Sequence, residues 1–192
     1  MPAEIRELEE HEMPEPMLLT KEERQKTRTL YQTVFSEDSQ KFVDFYYEYK
    51  IRDNQIYALW EDEQYVSMVH LNPYTMIVNG YEVLSNYIVA VATLKNYRHR
   101  GYMRLLLETA FRQMAADKMP FTFLMPASES IYTPFDFVWI SPFTELPKRV
   151  THLDADGQNR YLASRYQLFC KRDARYMENL KAEHLAEGGE DP

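Results

Sequence analysis

The stretch from Tyr87 to Met125 constrains the fold most. Tyr87-Ile88-Val89-Ala90-Val91-Ala92 is a continuous apolar run, the pattern of a strand covered on both faces. The break Leu94-Lys95-Asn96-Tyr97-Arg98-His99-Arg100 follows, and a helical period then runs from Gly101 to about Asp117. Met103, Leu106, Leu107, Ala110, Phe111 and Met114 make its core stripe, while Arg104, Glu108 and Arg112 stand at i, i+4 and i+8 on the wet side. Pro120 marks the entry to a second buried strand, Phe121 to Met125. Strand, loop, helix and strand in that order predict a crossover that sets two parallel strands around one helix.

Upstream, the pattern is two helices and then hairpins. Thr20 and Glu23 have capping-box spacing, so a helix is expected to start there with Leu30, Tyr31, Val34 and Phe35 as its buried face. A second helix should follow Ser36, because Phe42, Phe45, Tyr46 and Tyr49 fall at i, i+3, i+4 and i+7. Gln55 to Trp60 reads as a strand, Glu61-Asp62-Glu63 as a turn, and Tyr65 to Leu71 as the next strand. Thr75 to Val78 and Tyr81 to Leu84 flank Asn79-Gly80, a pair that accepts positive φ at both positions of a two-residue hairpin turn. Downstream, Pro126 to Tyr132 suggests a loop and short helix, and Phe137 to Ile140 a strand. Beyond Asp156 the chain reads as helical, with Tyr161, Leu162, Tyr166 and Phe169 repeating, then as a charged, poorly amphipathic tail from Lys171 to Pro192. The expected class is α/β: a mixed, mostly antiparallel sheet with a central β-α-β crossover and flanking helices. Residues 1–17 are expected to be an acidic mobile tail, 18–155 the main domain, and 156–192 a helical extension that could begin a further domain.

Composition narrows the function classes. Hydrophobic residues are 45% and aromatics 14% of 192 residues, too much large apolar surface for a disordered chain. The net charge of −8 argues against nucleic acid and makes a cationic small molecule or peptide the more natural partner. Cys170 is the single cysteine, which excludes an intramolecular disulfide and fits a reducing, cytoplasmic setting. No apolar run reaches bilayer length, and residues 1–16 are acidic rather than signal-like, so no membrane partner is expected. His11, His70, His99, His152 and His184 show no metal-ligand spacing, so no metal is expected.

From Lys95 to Arg104 there are four cationic side chains and no acidic one, at the junction of a strand with a helix. A helix start offers unpaired N–H groups and the positive end of the macrodipole, and Gly101 lets a ligand approach the backbone. Together these make a diphosphate site. The plainer reading, a solvated loop with a turn glycine, stays open from spacing alone. No Gly-Lys-Ser/Thr follows the glycine, and no dinucleotide fingerprint surrounds it.

Arg98-His99-Arg100-Gly101-Tyr102-Met103 resembles motif A, Arg/Gln-x-x-Gly-x-Gly/Ala, of the GCN5-related N-acetyltransferases (GNAT). The resemblance implies the GNAT fold and acetyl-coenzyme A as co-substrate. Arg98, His99, Arg100, Gly101, Tyr102, Met103 and Arg104 would cradle its pyrophosphate, and Val91, Ala92 and Thr93 would pair with its pantetheine arm. Ala127-Ser128-Glu129-Ser130-Ile131-Tyr132-Thr133-Pro134-Phe135-Asp136-Phe137 resembles the Ala-Ser-Glu-x-x-Ile-Tyr-x-x-Phe-x-Phe/Tyr stretch of the enhanced-intracellular-survival (Eis-like) branch. That resemblance spans roughly residues 18–180 and adds Ser128 to the coenzyme site. Met103 departs from the small Gly/Ala of the motif, and the branch is similar in tolerating Leu or Met there. Relatives in the branch are longer, with a second acetyltransferase-like region, a sterol-carrier-like domain and a terminal carboxylate that acts as base. That last role does not carry onto Pro192, and the chain is either an excised domain or a short relative. Oligomers are common in the branch, which leaves a homo-oligomer open.

The implied reaction is direct acetyl transfer to a primary amine of a small molecule or peptide in a ternary complex. It needs a base for the amine, a backbone donor near Val91 or Ala92 for the thioester oxygen, and a proton donor for the leaving thiolate. Tyr132 matches the family position of that donor. His70, Glu82 and Glu129 are candidate bases, each weighed against a structural or exposed role. Tyr46, Tyr47 and Tyr49 could line an acceptor pocket, with the core the better reading for Tyr46 and Tyr49; Trp60, Trp139 and Cys170 read as core. An acidic cleft would select cationic amines such as aminoglycosides or lysine side chains. Two other classes stand beside this one: a non-catalytic acyl-coenzyme A-binding or assembly domain, and a coenzyme-free interaction module.

Overall fold

A computed structural model describes residues 13–142 and 144–189. Most of the expected acidic tail lies outside these residues; Met13 to Pro16 carry no regular structure before β1 (Met17–Leu18).

The sheet is built from hairpins. β1, β2 (Gln55–Glu61), β3 (Gln64–Val78) and β4 (Tyr81–Thr93) are antiparallel and neighbours in that order. Asp62 and Glu63 turn β2 into β3 at φ 49° and 58°, and Asn79 and Gly80 turn β3 into β4 at φ 49° and 86°. These positive angles match the right-handed twist of the strands they join. The segments read as Tyr65–Leu71 and Thr75–Val78 are one 15-residue strand running through Pro73. Proline is tolerated there because β2 ends opposite Leu71, so Pro73 has a strand partner on one side only.

Strand alternation gives each sheet face its own helical cover. Ile56 and Ala58 of β2, Met68 of β3, and Ala90 and Ala92 of β4 face α2 (Arg28–Val34) and α3 (Gln40–Tyr49). Tyr57, Leu59, Val66, Val69, Leu71 and Ile88 face α4 (Tyr102–Ala116) through its Leu106, Leu107, Ala110 and Met114. Burying each of the Ile, Leu, Val and Met side chains among these contributes about 1.5–3 kcal/mol. The Thr20–Glu23 capping box starts α1 (Lys21–Arg24), with both reciprocal hydrogen bonds present at 2.9 and 3.4 Å. On α3 the buried face is Val43, Phe45, Tyr46 and Tyr47, rotated from the expected stripe, so Phe42 and Tyr49 sit at its margins.

The crossover exists in shortened form. After α4 the chain returns alongside β4, where Phe123 makes a parallel bridge with Tyr87. Ile88 N–H donates to Phe123 O at 2.9 Å, and the hydroxyls of Ser85 and Thr122 tie Phe121 O and Asn86 O. Phe121 to Met125 is therefore bridged rather than a full buried strand, and Met125 is exposed. Phe137 to Ile140 is not a strand: Val138, Trp139 and Ile140 are 78%, 60% and 71% exposed. Neither tryptophan is core. Trp139 lies on this unpaired segment, and a register shift between Leu59 and Trp60 ends the alternation, leaving Trp60 edge-on to Tyr65 at the surface.

Beyond α5 (Glu129–Tyr132) and α6 (Lys148–Thr151), the C-terminal part is more structured than its sequence suggests. α7 (Ala155–Ala163) ends at Ser164, and Phe169 belongs to β5 (Leu168–Cys170), which pairs with Met76–Val78 of β3. Asp173 then accepts from Tyr176 N–H at 2.7 Å and starts α8 (Ala174–Ala186), whose Ala182 and Ala186 pack on the α3 cluster. Among the described residues, no helix is long and apolar enough to cross a membrane.

Candidate functional site

Of the residues singled out by sequence, Val91 to Thr93 lie at the end of β4, and Arg98 to Arg104 follow on the turn and helix start that leave it. On its β3 side β4 is paired to Thr93. On its other side, among the described residues, strand pairing stops at the Tyr87–Phe123 bridge. The outer main-chain edge of Val89 to Thr93 thus has no strand partner among the described residues. Ala90 stands at φ 49°, and the β3–β4 register shifts beside it, so a bulge bends the strand along this unpaired edge. Val91 is half-buried and Ala92 buried. Thr93 Oγ1 lies 2.8 Å from Ser67 Oγ, which itself donates to Ala92 O at 3.0 Å. Those side chains fix the strand and leave its outer edge to main-chain groups.

At the end of β4 the chain makes a 3₁₀ turn, Lys95–Tyr97, passes His99 at φ 65°, and enters α4 through Gly101 at φ 85°. No side chain caps this helix. Leu105 N–H bonds back to Gly101 O at 3.0 Å, and the earlier amides, such as those of Met103 and Arg104, have no intrahelical acceptor. A Cβ built on Gly101 would meet only Met13 Cε, at 3.8 Å. Among the described residues, only the tip of that one flexible side chain comes near Gly101.

The basic side chains of the junction differ in their partners. Arg100 pairs with Glu61 at 3.2 Å and lies over the Tyr97 ring, and Arg104 pairs with Glu108 at 3.2 Å and lies over Phe135. Arg98 donates to Thr93 O at 3.1 Å and has no carboxylate partner among the described residues, so its charge is the least compensated of the three arginines. Tyr102 is buried and its hydroxyl donates to Glu61; burial, then that carboxylate, raises its pKa. Its side chain is an anchor, and only its main chain stands at the helix start. Met103 is half-buried against the α4 cluster.

Tyr132 lies at the end of α5, half-buried, its ring edge-on to Phe137 at 5.8 Å. Burial raises its pKa, so the phenol keeps its proton at neutral pH. Ser128 is exposed, with its hydroxyl 2.9 Å from that of Ser130.

The candidate bases do not gather here. His70, weighed between a cleft and a structural role, takes the structural one: it is wholly buried between β3 and α3, its Nδ1 3.0 Å from the Tyr46 hydroxyl. Burial, and to a lesser extent Arg24, pushes its pKa down to about 3, so it stays neutral. Glu82 is exposed and pairs with Lys171, and Glu129 is exposed. Tyr46 and Tyr47 are core residues.

Sequence reading missed one feature. A cleft with about 540 Å³ of empty space, its open mouth included, lies between the end of α3, the middle of β3 and α8. Lys50, Asn72, Tyr74, Tyr176, Asn179 and Glu183 are on its wall. Only the i, i+3, i+7 spacing of Tyr176, Asn179 and Glu183 hinted at a shared helix face.

A family model described as an acetyltransferase (GNAT) domain matches residues 15–140. A probable N-acyltransferase from Enterococcus faecalis superimposes with a TM-score of 0.59 at 22% identity, over 65% of this chain and 32% of its own. A GCN5-related N-acetyltransferase from Kribbella flavida gives 0.51 at 19%, over 64% of this chain and 32% of its own. This chain thus spans about a third of the length of both. A predicted acetyltransferase from Clostridium acetobutylicum, solved with acetyl-CoA, gives 0.60 at 12%, over 73% of this chain and 100% of its own. No curated protein matches the sequence. At these identities the solved structures speak for the fold, while the family match runs over more than half of the sequence and takes in the open edge of β4, the Gly101 helix start and Tyr132: the chain belongs to the GNAT acetyltransferase family.

Proposed function

We propose that the chain is an acetyl-coenzyme A-dependent N-acetyltransferase, similar to the Eis-like branch, acting on a primary amine of a small molecule or peptide. The observation that carries this reading is the uncapped start of α4 behind a left-handed glycine, set beside an open strand edge. The residues present fit the coenzyme. Open amides and the positive end of the helix suit a diphosphate, the space over Gly101 suits close approach, and Arg98 brings a charge without a carboxylate partner among the described residues. Main-chain groups from Val91 to Thr93 suit an amide-bearing arm laid along β4. The Clostridium relative solved with acetyl-CoA supports the same choice.

The bound co-substrate supplies an activated acetyl thioester. In the transfer a C–N bond forms, the C–S bond breaks, and the proton lost by the amine is balanced by the one gained by the thiol. Tyr132 is suited to deliver a proton to the leaving sulfur, because burial keeps its phenol protonated. A backbone amide near Val91 or Ala92 would steady the thioester oxygen. His70, held neutral inside the core, is set aside as the base.

Calorimetric titration with acetyl-coenzyme A tests the reading. Wild type should bind, and the combined Arg98→Ala, Gly101→Asp variant should lose most of that affinity. No binding by wild type, or equal binding by the variant, refutes the assignment. Binding without thiol release on any amine would favour the non-catalytic reading.

A further inference from the structure

The cleft between α3, β3 and α8 lies on the sheet side that carries α3. Its wall holds Asp53, Asp173 and Glu183 against Lys50, Lys171 and Arg175, so it is balanced rather than acidic, and a polycationic amine gains no net attraction there. Most of these charges are already matched. Asp53 pairs with Arg175, Lys171 pairs with Glu82 outside the cleft, and Asp173 caps α8.

Lys50 differs. Its ammonium donates to the Tyr74 hydroxyl at 2.8 Å and stands 5.4 Å from the centre of that ring. An ammonium has three protons to donate, and among the described residues no ion pair is closed on this one; Glu183 acts on it only at longer range. Burial lowers the Lys50 pKa and raises that of Glu183, which indicates that each charge is poorly compensated by water and by the other. A half-buried cation short of acceptors, inside a cleft, is an anion site.

The place of the cleft matters as much as its charge. The Tyr74 ring lies 6.3 Å from Tyr87 and 6.1 Å from Phe123, the two residues of the parallel bridge where the outer edge of β4 opens. One tyrosine ring therefore separates an anion on Lys50 from the place where pairing on the outer edge of β4 ends.

Building on the transferase reading, we propose that this cleft receives the acceptor, and that the acceptor is an amine that also carries a carboxylate. Lys50 holds the carboxylate, with Asn179 as a neighbouring amide. The amine, at the far end of an extended methylene chain, reaches past Tyr74 toward β4.

The test compares ω-amino acids with their carboxamides, δ-aminovalerate and ε-aminocaproate each with its own amide, as acceptors from acetyl-coenzyme A. Wild type should favour each acid at least tenfold in kcat/KM. Lys50→Met should bring the pair within about twofold, mainly through KM, while Lys50→Arg keeps the preference. The same compounds titrated into the protein without coenzyme read the cleft independently, with the acid binding and the amide not. Equal use of acid and amide by wild type, no binding of the acid in either format, or an unchanged preference in Lys50→Met overturns the proposal. Coenzyme titration of the same samples separates that outcome from failure of the transferase reading, which would show as loss of coenzyme binding in wild type.

Discussion

Acid should unfold this protein through one histidine. His70 is fully buried, and its folded pKa of about 3 lies well below the ordinary 6.5. Its Nε2 has no hydrogen-bond partner among the described residues, so protonation would bury an unpaired charge. Between the two pKa values the unfolded chain binds a proton that the folded chain refuses, so stability is intact above the ordinary value and falls as pH drops below it. From pH 7 to pH 5 about 1.5 pH units of that window are crossed, which costs about 2 kcal/mol. Glu23 and Asp44, held below the ordinary carboxylate range by Thr20 and by Arg28 respectively, add losses of the same sign at lower pH; Glu183, raised by burial, acts the other way. The difference between wild type and His70→Gln removes those shared contributions. Urea unfolding at both pH values should show wild type losing about 2 kcal/mol more than the variant. Equal losses, or a His70 ring signal titrating near its ordinary pKa in the folded protein, would refute the reasoning.

Two further outcomes follow from the geometry. Tyr132→Phe should lower kcat roughly 100-fold or more with coenzyme affinity unchanged, and an unchanged kcat would remove the phenol from the proton path. Gly80→Ala places a side chain at φ 86° where a Cβ meets nothing within 4 Å, so its cost is backbone strain alone, about 1 kcal/mol; a melting temperature within experimental error of wild type would show that the hairpin turn relaxes freely.

What was legible in the sequence had a local cause. The Asn79-Gly80 turn, the Thr20–Glu23 box and the Gly101 start of α4 are each dictated by residues within one turn of each other. Phe137 to Ile140 shows the limit of that reasoning: β-branched and aromatic residues suit a strand, but a strand needs a partner, and none of the described residues supplies one. The sequence left His70 between a cleft and a structural role because its face is set by parity with Met68, which only the helix packed above reveals. The cleft was out of reach for a related reason. Lys50, Tyr74 and Glu183 come from α3's end, β3 and α8, and no spacing along the chain announces that they meet.

The way β3 is shared has a practical consequence. β2 leaves it at Leu71, and β5 takes up Met76 to Val78 on the same side. Between them, Lys171 N–H reaches Thr75 O at 2.8 Å and Arg175 reaches Pro73 O at 2.8 Å. The last quarter of the sequence thereby seals a row of peptide groups that would otherwise invite another molecule to add its own strand. Shortening the protein ahead of Leu168 would unzip that seal, and self-association should outrun any loss of thermal stability.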